Sequence, residues 1–261
     1  METSLVRCRA CHAVYQSPTL LPSKNPYTDV AESYFQHDDP GQKRDAGALW
    51  ARKAESLLGR RGRLLELGCG TGDFLDGARA AGWSVAGIDM TAAFAEAGRA
   101  RGIPIEVSSV EESQVLNEVG EFDVVLLAAI LEHVYAPASL LERVRNVLRP
   151  GGIIFIDVPN ECSLFTLVAN AYQRVRRRDW VVNMSPTFPP FHVVGFCPAS
   201  LTFLLDRVGF RVAELSTHAW DVPTEDLARF ERVAVRAVNR VGYWLGKGIG
   251  LTAWAIRTER I

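Results

Sequence analysis

Leu64-Leu65-Glu66-Leu67-Gly68-Cys69-Gly70-Thr71-Gly72-Asp73-Phe74 is an apolar run, three glycines at alternate positions, and the start of an amphipathic segment. An apolar strand that turns through glycines into a helix is how an open α/β sheet builds a ligand site: the glycines permit a sharp turn and let a ligand approach the main chain at the carboxyl end of the strand. A second strand, Trp83-Ser84-Val85-Ala86-Gly87-Ile88, ends in Asp89, 21 residues after Gly68, where a carboxylate can accept hydrogen bonds from ribose hydroxyls. The glycine pattern lacks a third glycine three residues after Gly70, as the dinucleotide fingerprint requires, and no Gly-Lys-Ser/Thr follows as in a phosphate loop.

The surrounding chain repeats this alternation. Apolar positions predict a helix over 46–58, then strand at 63–67, helix at 74–81, strand at 84–89, helix at 92–101, and strands at 105–108, 122–128 and 152–158, with a helix over 140–148 between the last two. Val124-Val125-Leu126-Leu127 and Ile153-Ile154-Phe155-Ile156 are uninterrupted apolar runs, so both belong near the centre of a sheet covered on both faces. A helix over 198–208, a strand over 210–215, a helix over 227–245 and a strand over 251–256 follow. The pattern requires a mostly parallel sheet wrapped by helices.

Two regions stand outside it. Residues 1–45 are polar, broken by Pro18, Pro22, Pro26 and Pro40, and carry Cys8-x-x-Cys11-His12; they read as an extension ahead of a domain spanning 46–261. Residues 160–195 read as a lid insertion: a helix over 164–178 pairing Leu164, Phe165, Leu167, Val168 and Tyr172 with Arg174, Arg176, Arg177 and Arg178, then Trp180 and a proline-rich loop. An apolar face beside arginines also suits peripheral contact with an anionic membrane, through 164–180.

Composition narrows the function classes. With 261 residues, 48% hydrophobic, 23% charged and a net charge of -1, the chain is globular and gives no electrostatic argument for nucleic acid. No apolar run suits a leader or a spanning helix, so the expected location is cytoplasmic. Five cysteines, an odd number, make a disulfide framework unexpected.

The glycine turn with Asp89, together with Glu121-Phe122-Asp123-Val124-Val125, Leu131-Glu132-His133-Val134 and Leu148-Arg149-Pro150-Gly151-Gly152, resembles the class I S-adenosylmethionine-dependent methyltransferases over roughly residues 45–215. The Leu-Glu-His-Val block, Val158-Pro159-Asn160, His192-Val193-Val194-Gly195-Phe196 and Leu201-Thr202-Phe203-Leu204-Leu205 are similar to the ubiquinone-biosynthesis O-methyltransferase-like branch. The segment 8–18 resembles the second half of a zinc ribbon, with the first Cys-x-x-Cys absent.

The resemblance implies a Rossmann-like sheet of seven strands and S-adenosyl-L-methionine as cofactor. It places Gly68, Cys69, Gly70 and Gly72 around the methionine part, Asp89 on the ribose and Met90 beside the adenine, and counts Glu66 among the cofactor-binding residues. Ser109 and Val110 fall where the adenine amino group is met, Ser109 departing from the family's acid there, and Leu127 and Ala128 line the pocket below the sulfonium. The implied reaction is methylation of a small-molecule hydroxyl (a quinol precursor, sugar or secondary metabolite), with N- or C-methylation, non-catalytic cofactor binding and, more distantly, a dinucleotide reductase as alternatives. His133 and His192 are the candidate bases, each equally able to brace a helix or anchor the lid loop; a divalent ion near Glu132 and His133 is another route to an activated phenol. Cys8 and Cys11 supply two thiolates where a structural zinc wants four ligands, and a metal-free remnant is the expectation.

Overall fold

A computed structural model describes residues 4–19, 39–187, 191–219 and 229–259. Its main sheet contains β3 (Arg63–Leu67), β4 (Ser84–Asp89), β5 (Ile105–Val107), β6 (Phe122–Ala128), β7 (Leu148–Pro159), β9 (Phe210–His218) and β10 (Gly250–Arg257), in the order β5-β4-β3-β6-β7-β10-β9. The pairs from β5 through β7 are parallel, and β10 is antiparallel to both β7 and β9. This is the seven-stranded, mostly parallel sheet expected, and its strand order reverses at β3, between β4 and β6, where open α/β sheets open a crevice.

Two-residue periodicity distributes the apolar runs to both faces. Leu64, Val124, Leu126, Ile153 and Phe155 join a cluster with Ala51 and Ala54 of α1 (Pro40–Leu58), Leu75 and Ala78 of α2 (Asp73–Ala80) and Ala95 of α3 (Ala92–Ala100). Leu65, Leu67, Val125, Leu127, Ile154 and Ile156 join the opposite cluster, with Leu140, Leu141 and Val144 of α4 (Pro137–Val147) and Leu201 and Leu205 of α6 (Pro198–Arg207). The run 124–127 is completely buried, as a strand covered on both faces must be. Trp50 stacks on Phe74 at 4.6 Å and meets Phe155 at 4.4 Å, fixing α1 and α2 against the sheet.

Element ends differ from the sequence reading for local reasons. Helix α1 begins at Pro40 because Asp39 caps it, its Oδ1 accepting from Gly41 N–H at 2.8 Å, and proline suits a first helical position. Strand β7 begins at Leu148 rather than 152, and β9 runs on to His218 because β10 pairs along its length. The lid helix α5 is Leu164–Val175, and α7 is Arg229–Trp244. The segment Leu131–His133 is a single 3-10 turn.

A second, three-stranded sheet joins the extension to the domain. β1 (Ser4–Arg7) and β2 (Val14–Ser17) form a hairpin, and β2 pairs with β8 (Val194–Gly195) at the end of the insertion. Among the described residues no helix is long and apolar enough to cross a membrane.

Candidate active site

The glycine turn sits at the carboxyl end of β3. Gly68, Gly70 and Gly72 have φ of 66°, 54° and 81°. At Gly68 a Cβ would meet Ile130 Cδ1 at 2.1 Å, so only glycine fits, whereas a Cβ on Gly70 would meet nothing within 4 Å. The amides of Gly68 and Cys69 both donate to Ile88 O, tying the turn to β4. On its outer side Asp73 braces it: Oδ2 accepts from the Thr71 hydroxyl at 2.7 Å and Oδ1 from Arg101 at 2.7 Å, while Arg101 also donates to Thr71 O. Burial raises the Asp73 carboxyl, but the Thr71 hydroxyl and Arg101 outweigh it and hold it below the usual range.

Asp89, at the tip of β4, accepts from Gly70 N–H at 2.7 Å through Oδ2 and from Thr91 N–H at 2.8 Å through Oδ1. One carboxylate thus fixes the glycine turn and the start of α3 together, keeping lone pairs for a ligand. Burial pushes it up; the two amides oppose that. Glu66 is buried on β3, and its Oε2 has no hydrogen-bond partner. A buried carboxyl without a partner costs free energy unless a ligand donor satisfies it, and burial raises the Glu66 carboxyl well above its usual range. Cys69 fills the turn, its sulfur packed where a Cβ on Gly87 would meet it at 2.4 Å, and burial raises its thiol, as suits a packing role.

The other residues expected around a cofactor fall along the same edge. Met90 is half-exposed beside Asp89. Ser109 and Val110 lie on the turn after β5, held by Arg143 of α4, which donates to Val110 O at 2.7 Å and Ser113 O at 2.8 Å. Leu127 is wholly buried in the core, and Ala128 is the partly exposed residue at the end of β6. Glu66 Oε2, without a partner, and the remaining lone pairs of Asp89 are buried acceptors beside the glycine turn, suited to a ligand that brings hydrogen-bond donors such as an ammonium and a pair of hydroxyls.

The structure brings His133 and His192 together, ring centroids 4.9 Å apart, although they are far apart in sequence. The cause is backbone pairing: Val193 N–H donates to Glu132 O at 2.9 Å, which lays the end of the insertion against the 3-10 turn. Asn183 O lies 2.7 Å from His192 Nδ1; a carbonyl only accepts, so Nδ1 carries the hydrogen and Nε2 presents a lone pair. Burial lowers the His192 pKa, keeping the ring neutral. His133 Nε2 lies 3.7 Å from Glu132 Oε1. Glu132 is pushed up to about 8 by burial, and its Oε2 is without a hydrogen-bond partner. One ligand atom from each of Glu132, His133 and His192 lies within 4.8 Å of the others, a spacing that a divalent ion could bridge.

One pair escaped the sequence reading. Asp157, buried near the end of β7 and paired in register with Ala128, has Oδ1 2.8 Å from His218 Nε2 at the end of β9. The His218 ring crosses β10 where Gly250 leaves room, since a Cβ there would meet the ring at 2.3 Å. No local pattern marks either residue; Gly248 and Gly250 before the last strand were the one available signal.

Comparison with known proteins agrees with this geometry. A family model described as a methyltransferase domain matches residues 35–215. A ubiquinone biosynthesis O-methyltransferase of Pseudomonas aeruginosa is 30% identical over 131 residues, covering 47% of this chain and 56% of that protein; the chain thus spans little more than half the length of that relative. One of Pasteurella multocida is 28% identical over 205 residues, covering 69% of this chain and 82% of that protein. Among solved structures, an S-adenosylmethionine-dependent methyltransferase of Archaeoglobus fulgidus superposes with a TM-score of 0.58 at 20% identity, over 88% of this chain and all of that one. The 1,6-didemethyltoxoflavin-N1-methyltransferase of Burkholderia thailandensis gives 0.55 at 17%, over 99% and 100%. At these identities the structural likenesses speak for the fold.

Proposed function

The chain belongs to the methyltransferase-domain family, whose model matches more than half its length, and on that premise we propose that it transfers a methyl group from S-adenosyl-L-methionine to a hydroxyl of a small molecule. The observation that carries this reading is the Gly70–Asp89 hydrogen bond at 2.7 Å beside the unpartnered Glu66 Oε2. The O-methyltransferase relatives support oxygen as the acceptor atom, with a quinol precursor, a sugar or a secondary metabolite as the substrate class.

When bound, S-adenosyl-L-methionine supplies a methyl carbon on a positively charged sulfur, already activated for displacement. Asp89 would hold the ribose hydroxyls, Glu66 the ammonium, and the Gly68–Gly72 turn the methionine backbone. The protein then has to align the acceptor and exclude water. His192, with Nε2 free to accept, takes the hydroxyl proton as the oxygen attacks, and His133 at 4.9 Å orients the hydroxyl. Catalysis by His133 and His192 is part of the proposal. So is peripheral membrane contact through α5, where Leu167, Val168, Tyr172 and Val175 are exposed beside arginines. Calorimetric titration with S-adenosylhomocysteine, then methyl transfer from labelled cofactor to a panel of phenols and sugars, tests the reading. Failure of the wild-type protein to bind would overturn it.

A further inference from the structure

Strand register sets one row of residues along a single face of the main sheet. Leu67 pairs with Ile88 on β4 and with Leu127 on β6; one step farther, Ala128 pairs with Asp157 on β7, and Asp157 with Thr252 on β10. The row at that step is Asp89, Gly68, Ala128, Asp157, Thr252 and, on β9, Ser216. Side chains alternate along a strand, so this row shares its face with Glu66, two residues back on β3, and with Leu126 and Phe155, which pack in the cluster that includes α1. Asp157 therefore stands on the cofactor-facing side of the sheet, at the carboxyl edge where open α/β folds bind ligands. It lies three strand spacings, about 14 Å, from Asp89. With the ribose at Asp89 and the methionine part over the Gly68–Gly72 turn, Asp157 is the first polar side chain beyond the cofactor in that row.

The carboxylate is only half used. Oδ1 lies 2.8 Å from His218 Nε2, whereas among the described residues nothing donates to Oδ2, and the side chain keeps 11% of its surface exposed. An almost buried carboxylate oxygen that no protein donor meets is suited to a donor on a ligand. Two contacts fix its aim. His218 lies one row farther on, opposite Gly250, and its ring folds back over that glycine, where a Cβ would meet Nε2 and Cε1 at 2.3 Å. Asp157 O accepts from Ala129 N–H at 2.8 Å, and Ala129, at φ 54°, turns the chain out of β6 toward the 3-10 turn that carries Glu132 and His133. A non-glycine residue in that left-handed region is strained, a cost that gathers at ligand sites. Asp157 thus belongs to the same end of the sheet as the histidine pair.

We propose, resting on the methyltransferase reading above, that Asp157 is an acceptor-binding carboxylate whose Oδ2 receives a hydrogen bond from a hydroxyl or N–H of the methyl acceptor, with His218 as the positioning residue that holds Oδ1. The acceptor is then a small molecule with a second hydrogen-bond donor beside the oxygen that is methylated. A carboxylate at that place is disfavoured by repulsion, and a methyl group because it leaves Oδ2 unpaired. Asp157 forms no covalent bond, and the proton it meets stays on the acceptor.

Four phenols that differ only in the group next to the hydroxyl test this. With labelled S-adenosyl-L-methionine, wild-type kcat/KM for catechol and 2-aminophenol should exceed that for 2-methylphenol and salicylate by about 10-fold or more, as a hydrogen bond to a charged group warrants. D157A should erase the preference. H218A should raise KM for catechol with kcat little changed, and H218Q, whose side-chain nitrogen can replace Nε2, should restore it; a role in stability alone would move Tm and leave KM as it was. Calorimetry with S-adenosylhomocysteine reports that each variant is folded. Failure of the wild type to bind it would overturn the methyltransferase reading and this proposal with it. Binding without methylation of catechol or 2-aminophenol, equal rates on all four phenols, or a preference that survives D157A would overturn this proposal alone.

Discussion

His218 Nε2 lies 2.8 Å from Asp157 Oδ1, across β10 at the position where Gly250 has no side chain to obstruct it. Desolvation works against the charged imidazole, but the Asp157 carboxylate outweighs it and raises the His218 pKa above its ordinary value. A raised histidine pKa stabilises the fold while the ring is protonated: the contribution is full below the unfolded value near 6.5 and is lost as pH rises through the folded value. A charge-assisted hydrogen bond of this kind is worth about 2 kcal/mol, so H218A should lower Tm by about 5 °C at pH 6 and by much less at pH 9. Equal losses at both pH values would mean that the ring acts only by packing.

Asp89 holds Gly70 and Thr91 by their amides, so its removal both deletes a ligand contact and releases the turn. Micromolar S-adenosylhomocysteine binding corresponds to about 8 kcal/mol. D89A should abolish it in calorimetry, and D89N, which keeps one acceptor oxygen, should weaken it by about tenfold or more, about 1.4 kcal/mol. Unchanged affinity in D89A would remove the carboxylate from the cofactor site.

Gly68 needs a left-handed backbone, and a Cβ there would meet Ile130 Cδ1 at 2.1 Å. G68A should therefore cost about 1–2 kcal/mol in backbone strain alone, in addition to the overlap. Combining it with I130A relieves the overlap but not the strain. Urea unfolding of the double variant against each single one measures the coupling between the two positions.

His192 presents Nε2 as an acceptor through its Nδ1 contact with Asn183 O. If it takes the acceptor proton, H192A should lower kcat by about 100-fold or more with cofactor affinity unchanged. H133A, which removes the ring 4.9 Å away, should raise KM for the acceptor with a smaller effect on kcat. Loss of cofactor affinity in either variant would assign the histidines to the integrity of the fold.

Much of this architecture is legible locally. The runs at 124–127 and 153–156 identify central strands because only strands covered on both faces dispense with alternation, and the Gly68–Gly72 turn with Asp89 marks the carboxyl edge of the sheet where open α/β folds bind ligands. These features depend on residues within one or two elements of each other, where periodicity and turn chemistry are strong.

What the tertiary structure decided are the contacts between distant segments. The meeting of His133 with His192 depends on a main-chain hydrogen bond from Val193 to Glu132, and backbone groups look alike in every sequence. Asp157 reaches His218 only because β10 inserts between β7 and β9 and places a glycine under the ring. Strand alternation, turns and caps are set by neighbours along the chain, whereas pairing across a sheet edge is set by packing of the whole domain, and that information is spread too thinly over the sequence to be read at any single residue.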